Sequence, residues 1–279
     1  MELATTYPVK VVCEALGFPR SSFYYRSVKP GDETLRAALL EEAGNWPSYG
    51  YRRLTEELRR KGWWVNCKRI RRLMCEMGLQ IRPKTQKRRT TDSMHNLGRY
   101  PNLIRKLDVL QPDQVWASDI TYIRLRRGFV YLAVIMDVFT RAVRGWHLSQ
   151  RLDLQLTLTA LDKALAQGKP DIHHSDQGIQ YAARGYVKRL QEAEVQISMA
   201  DVGQPTQNPH VERLIRTIKE EEVELAEYEN YRDAYRQIGC FIEDVYMYKR
   251  IHSSLGYLTP LEFEFQWQSI LAAEAADVI

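Results

Sequence analysis

The sequence predicts an α/β protein, a mixed five-stranded sheet flanked by helices and preceded by small all-helical units of helix-turn-helix type. Three observations carry that prediction. Residues 115–149 hold three runs rich in β-branched and aromatic residues, joined by short turns. Residues 154–227 then alternate helical periodicity with short apolar runs, an order that lays helices on a sheet. Residues 7–80 show helical spacing throughout, and residues 1–108 carry 22 Lys and Arg against 11 Asp and Glu, whereas the remainder carries 18 against 24. A basic front half suits holding a polyanion, and an acidic rear half suits chemistry that needs carboxylates.

The elements follow in chain order. In "YPVKVVCEALGFPRSSFYYRS", Val9, Val12 and Leu16 lie at helical spacing, Gly17 stops the helix, and Pro19 and Ser21 open the next. That is a helix-turn-helix shape over residues 1–30, although any short helical hairpin reads the same way. A second helical unit spans 31–81. Leu35, Leu39 and Leu40 mark its first helix, and Tyr51, Leu54 and Leu58 its second, ended by Gly62. The third has Asn66 as cap, Gly78 as terminator and a stripe of Ile70, Leu73, Met74 and Met77. Lys68, Arg69, Arg71 and Arg72 fall off that stripe, so this helix can track phosphates or enter a groove. A solvated basic face is the plainer alternative.

Residues 82–108 read as a basic linker, aperiodic, with Lys87, Arg88 and Arg89 at its centre and suited to meeting nucleic acid. From 109 the texture changes, and an α/β core is expected over 109–227. Val115–Leu125, Phe129–Val138 and Ala142–Ser149 read as strands, the second apolar on both faces. A helix is expected over 154–167, with Leu154, Leu158, Leu161 and Leu165 on one stripe. "DIHHS" is a fourth strand, 184–193 a helix, 195–199 a fifth strand and 209–227 a long helix, entered through Asn208 as cap and Pro209 at its first position. Residues 228–279 form a helical tail. No apolar run approaches the roughly 18 residues of a membrane span, and no signal peptide opens the chain, so a cytoplasmic protein is expected. Cys13, Cys67, Cys75 and Cys240 are scattered, without metal or disulfide spacing.

Three acids stand out by position. Asp119 sits in mid-strand on a small, apolar face, where a lone charge needs a partner or a metal. Asp176 follows a strand end, and Glu212 lies in the first turns of a helix. If strands and helix are neighbours, the carboxylates converge, and such clusters call for a cation, for which hard oxygen ligands favour Mg²⁺ or Mn²⁺. Among 35 acids, however, such a triple also arises by chance. Asp137 and Asp162 read as structural or surface acids, Glu220, Glu221, Glu222 and Glu224 as a solvated helix face, and His173, His174, Trp116 and Trp146 as structural. Arg250 and His252 fit DNA contact and packing equally well.

Spacing and flanking words narrow the choice. Asp119 and Asp176 are separated by 56 residues, Asp176 and Glu212 by 35. "WASDITYI", "HHSDQGIQY" and "NPHVERLIRTIKEE" closely resemble the three carboxylate segments of the DDE recombinases. With "SYGYRRL" upstream and "YMYKRIHSSLGYLTPLEF" downstream, the resemblance is to the OrfB transposases of insertion-sequence family three, from about Tyr7 to Phe265. It implies a ribonuclease-H-like, retroviral-integrase-like core, with Asp119, Asp176 and Glu212 as catalytic ligands of two Mg²⁺ or Mn²⁺ ions. It implies cleavage at element ends, 3′-hydroxyl strand transfer through a circular intermediate, and a DNA-facing basic residue at Lys219. It also implies an OrfA partner from an upstream overlapping frame and at least a dimer on DNA. Two departures stand out: Gln207 and Pro209 flank Asn208 where the family often has Asp and Ala, and Met247 stands where it has Asn. Other readings remain: a DNA-binding regulator with a vestigial core, or a ribonuclease acting on RNA–DNA hybrids.

Overall fold

The computed structural model describes residues 7–24, 31–81, 100–201 and 204–276. Two short helices open it, α1 (Val9–Ala15) and α2 (Arg20–Tyr24), separated at Gly17 with φ +67°. A three-helix unit follows: α3 (Glu33–Asn45), α4 (Tyr51–Arg60) and α5 (Cys67–Glu76). The expected signals are in place on α5. Asn66 Oδ1 accepts from the Lys68 amide at 2.8 Å, Gly78 leaves the helix at φ +69°, and Ile70, Leu73 and Met74 are buried.

The core begins with β1 (Val115–Arg124), β2 (Phe129–Asp137) and β3 (Val143–Ser149), an antiparallel meander. Helix α6 (Leu154–Leu165) carries the chain over one face to β4 (Ile172–Ser175). The short α7 (Ile179–Ala182) and α8 (Arg184–Glu192) lead to β5 (Gln196–Met199). The sheet order is β3-β2-β1-β4-β5, with β4 parallel to both β1 and β5. Strand β1 is therefore central, and its first four residues, Val115 to Ser118, are buried. One face packs on α6, α7 and α8 through Leu156, Leu161, Tyr186 and Leu190. The other packs on α9 (Pro209–Ile218) and α10 (Tyr231–Cys240) through Val211, Leu214, Ile218 and Ile238. Burial of these aliphatic faces on both sides of the sheet supplies the main stabilisation of the core.

Helix α6 approaches β3 closely because residue 145 is glycine. A Cβ there would lie 2.2 Å from the Ala160 carbonyl oxygen and 2.9 Å from the Ala164 nitrogen, both backbone atoms that cannot turn aside. Gly145→Ala is expected to destabilise the fold by about 1–3 kcal/mol through overpacking, read as a lower urea midpoint at unchanged slope.

The long helix expected over 209–227 keeps α geometry only to Ile218. Residues Lys219–Val223 then widen into a π turn, with the Glu224 amide donating to the Lys219 carbonyl at 2.9 Å. In the tail α10 runs on through a π segment, Phe241–Tyr246, and α11 (Pro260–Ala276) ends the described residues. The helical unit also docks on this tail. Ile251 is buried among Leu35, Leu54, Leu58 and Ile70, and its amide donates to Tyr49 Oη at 3.1 Å. Of the expected linker, residues 82–99 lie outside the described residues, while Ile104 and Leu107 pack against the core.

Candidate active site

Asp119 stands where the central strand emerges from cover: Val115 to Ser118 are buried, whereas Asp119 and Ile120 are half-buried. Its Oδ1 accepts from the Ile120 amide at 2.7 Å. Strand β4 runs parallel beside it with Val115 opposite Ile172, Trp116 opposite His173 and Ala117 opposite His174. Continued by two residues, that register sets Asp119 beside Asp176, just past the end of β4. Neighbouring strands are about 4.8 Å apart and residues in register share a face, so the two carboxylates start side by side. Asp176 Oδ1 accepts from the Gly178 amide at 2.9 Å. A Cβ on residue 178 would lie 2.9 Å from that same oxygen, so glycine there leaves the carboxylate its seat. Burial pushes the Tyr181 hydroxyl well above the usual phenol range, with the charges of Tyr186, Asp119 and Asp176 adding to it.

Glu212 arrives from the opposite side. Asn208 occupies the cap position of α9, but its side chain does not cap the helix, in contrast to the sequence expectation. It reaches across instead, and Nδ2 donates to the Ser118 carbonyl at 3.0 Å. This bond ties the start of α9 to the residue before Asp119, and the Glu212 amide donates back to the Asn208 carbonyl at 3.3 Å, one turn on. Gln207 is equally engaged. Its Oε1 accepts from Asn102 Nδ2 at 2.7 Å and from the Asp201 amide at 2.8 Å, knitting the loop before α9 to the chain before β1. At Met247 the thioether sulfur accepts from the Val143 amide at 3.3 Å, so a weak acceptor stands there.

Register and tie set residues 119 and 176 level where β4 ends, with the start of the Glu212 helix bonded to the residue before Asp119. Among the described residues, no group of three His, Cys, Asp or Glu side chains stands close enough to hold an ion. The donor chemistry nonetheless fits a hard divalent cation: three carboxylates, no thiolate and no accessible imidazole, on backbones held by β1, β4 and α9. The adjacent histidines do not compete. His173 and His174 are buried, the first hydrogen-bonded to Tyr186 Oη at 3.0 Å and the second to Ser198 Oγ at 2.8 Å.

Burial lowers the pKa of His173 to about 3. Because the unfolded chain binds that proton near pH 6.5, the contribution of neutral His173 is complete above pH 6.5 and is lost as pH falls toward 3. His173 is expected to account for about 2 kcal/mol of the stability lost between pH 7 and pH 5, beside the shares of buried His174, His210 and His252, read as the difference between the wild type and His173→Gln in urea denaturation across that range.

Lys219 lies at the end of α9 with Nζ 4.9 Å from the ring centroid of the exposed Tyr122 on β1. On α5, Arg69 and Arg72 bind Asp32 at 2.5 and 2.7 Å, and Arg72 also binds Glu76 at 2.7 Å. These guanidiniums hold the Asp32 carboxyl below its usual range. Lys68 is exposed, and Arg71 stands 5.7 Å from the Tyr51 ring centroid. Lys87, Arg88 and Arg89 lie outside the described residues.

Other expectations divide. Asp137 is structural: fully buried, it accepts from the Phe139 amide at 3.0 Å and Thr140 Oγ1 at 2.9 Å. Asp162 is a surface acid that accepts from Arg189 Nε at 2.7 Å. Trp116 and Trp146 are in the core. The glutamates after Lys219 are not all solvated. Glu221 accepts from Arg250 at 2.7 and 2.8 Å with both side chains nearly buried, and Glu222 accepts from Tyr228 Oη at 3.0 Å. Arg250 is thus a packing residue, a role that no local pattern signals because its partner lies 29 positions away.

Residues 110–205 and 193–260 match models of the integrase core domain, and residues 32–89 match an HTH-like domain. The chain is 34% identical over 236 residues to the transposase of insertion sequence element IS904 from Lactococcus lactis, covering 83% of this chain and 92% of that one. It is 33% identical over 274 residues to the transposase InsF of IS3A from Escherichia coli, covering 92% and 94%. Among solved structures, the HTLV-2 integrase catalytic core domain in complex with magnesium is similar at a TM-score of 0.47 and 18% identity, over 55% of this chain and 97% of that one.

Proposed function

The chain belongs to the IS3-family transposases, and on that footing we propose that Asp119, Asp176 and Glu212 are the centre at which it cuts element ends and joins them to DNA. The observation that carries this reading is the β1–β4 register, which sets Asp119 level with Asp176, while Asn208 ties the helix of Glu212 to the same strand. The three carboxylates would hold two Mg²⁺ or Mn²⁺ ions, which when bound offset the charge of the phosphodiester under attack and make water a better nucleophile at neutral pH.

The residues of the chain do the positioning. The amides of Ile120 and Gly178 each fix one carboxylate oxygen, so the two aspartates need little reorganisation when DNA arrives. In the first step water attacks phosphorus, the 3′-oxygen leaves as a hydroxyl, and the strand is cut. In the second that 3′-hydroxyl attacks another phosphodiester and expels its 3′-oxygen, so bonds made equal bonds broken and no covalent protein–DNA intermediate is required. Lys219, beside Tyr122, would hold a backbone phosphate near the centre. The helical unit over 31–81 and the basic stretch over 82–108 would hold DNA, with Lys68 and Arg71 presented directly and Arg69 and Arg72 exchanging Asp32 for phosphate. Uniting two ends requires at least a dimer, and an OrfA protein or fusion would supply end recognition. The place of work would be the bacterial nucleoid, and no helix among the described residues is long and apolar enough to cross a membrane.

The test is nicking of DNA carrying the ends of the parent element. Cleavage is expected with Mg²⁺ or Mn²⁺, lost with chelator and restored by added metal. Equal nicking in excess chelator, or none with either metal, overturns the reading.

A further inference from the structure

On another flank of α9 lies a second concentration of charge. His210, Arg213, Leu214 and Thr217 recur at helical spacing and line a pocket of about 370 Å³ that excludes Glu212 and Lys219. Arg53 enters it from α4, Arg141 from the turn between β2 and β3, and Arg250 and His252 from the tail. The pocket is therefore a three-way junction of helical unit, sheet core and tail. Arg250 is its buried floor, Arg53 and Arg141 are half-buried, and Arg213, Ser253 and Ser254 form an exposed rim.

The charges in it do not balance. Among the described residues, Glu221 is the carboxylate that pairs with these guanidiniums, accepting from Arg250 at 2.7 Å and standing 3.6 Å from Arg53. Arg141 instead contacts His210 Nδ1, and Arg250 Nη1 stands 3.3 Å from His252 Nε2. Asp137 acts on Arg141 only through space, since it is engaged by Thr140 and the Phe139 amide. Burial lowers the pKa of His252 to about 2, with Arg250, Arg53, Arg141 and Arg213 all acting in the same sense, so the imidazole adds no charge. Four guanidiniums thus converge on a space that opens to solvent, with one carboxylate to offset them. Like charges gathered in this way repel unless an anion joins them, and the guanidinium fork matches the oxygens of phosphate.

We propose that this junction pocket binds one phosphodiester group of the DNA strand, clamping the helical unit, core and tail together when DNA is bound. The proposal rests on DNA being the substrate, as proposed above, but not on the role of the carboxylates. DNA is favoured over a free ion by position: Arg213 on the rim follows Glu212 on α9, about 100° around the helix axis, so the mouth opens on the flank next to the carboxylates, within reach of a strand bound there. The inferred contact is sequence-independent, fixing the strand relative to all three units at once.

The experiment has two arms. In the first, thermal denaturation is followed against inorganic phosphate, with chloride at matched ionic strength as control. The midpoint is expected to rise with phosphate in the wild type and in Asp119→Asn, with apparent affinity about tenfold weaker in Arg213→Gln, whose exposed side chain can be replaced without unfolding, and likewise in Arg141→Lys. In the second, ethylation interference is mapped on end-bearing DNA. One phosphate whose ethylation blocks the wild type is expected to become indifferent in Arg213→Gln, and the salt slope of binding to fall by about one. No specific effect of phosphate on the midpoint overturns the site. A phosphate effect undiminished in Arg213→Gln and Arg141→Lys likewise overturns the site, and a diminished one with no interference position lost overturns the assignment to DNA. Asp119→Asn separates the two readings, because it is expected to keep both signals while losing cleavage.

Discussion

Asp119→Asn is expected to lower strand cleavage by about a thousandfold or more, roughly 4 kcal/mol in the barrier, without weakening the fold. Asparagine has the same shape and keeps an Oδ1 acceptor for the Ile120 amide, which the aspartate now engages at 2.7 Å. What it removes is the charge that a divalent cation requires. The position is half-buried at the end of the covered part of β1, and its register neighbour is Asp176. The urea midpoint is expected to stay level. In the proposed centre the carboxylates would act as one unit, so Asp176→Asn and Glu212→Gln should each match this loss, and a double variant should add little. Single-turnover nicking of end DNA, read beside denaturation of the same proteins, checks both halves. Nicking by Asp119→Asn within tenfold of the wild type, with metal present, would remove residue 119 from the chemistry.

Arg250→Met is expected to cost about 3–5 kcal/mol of stability, the typical effect of leaving one half of a buried ion pair behind. Arg250 is 2% exposed and forks onto Glu221 through Nε and Nη2 at 2.7 and 2.8 Å. Without it, Glu221 keeps Arg53 at 3.6 Å, too far for a good charged hydrogen bond. The damage should not stay local. Ile251 follows directly, packs among the helices of the amino-terminal unit and donates to Tyr49, so the seat of that unit on the tail should loosen as well. Faster amide exchange across residues 51–60 is expected beside a lower urea midpoint. The double variant Arg250→Met with Glu221→Leu should recover only part of the loss, since the apolar pair needs no charge compensation but Arg53 loses its carboxylate. A single variant within 1 kcal/mol of the wild type would show that the pair contributes little.

Much of the core was legible because the features concerned are periodic or local. The alternation of 115–125 and the apolar run of 129–138 correspond to β1 and β2 within a residue or so, and "DIHHS" to β4, since strand signals depend on side-chain period and turn residues close in sequence. The Asn66 cap was legible for the same reason: donor and acceptor are two residues apart. Asn208 carried the same cap signal, yet packing of α9 on β1 brought the Ser118 carbonyl within reach, and that bond displaced the cap. The acid run after Lys219 read as a solvated face because four glutamates in five positions look like surface, and only the return of the tail to Glu221 makes it interior.

By itself, then, the sequence determined the order of strands and helices, the carboxylates worth considering and their separation along the chain. Tertiary structure alone decided that β4 lies parallel to β1 with residue 119 level with 176, that Arg69 and Arg72 rest on Asp32, and that four arginines from three regions face one pocket. The reason is physical. Periodicity and capping act over a few bonds and repeat wherever their residues occur. The strength of a charge pair and the occupancy of a sheet edge depend on a low-dielectric interior and a strand register that exist only once distant segments have closed on one another.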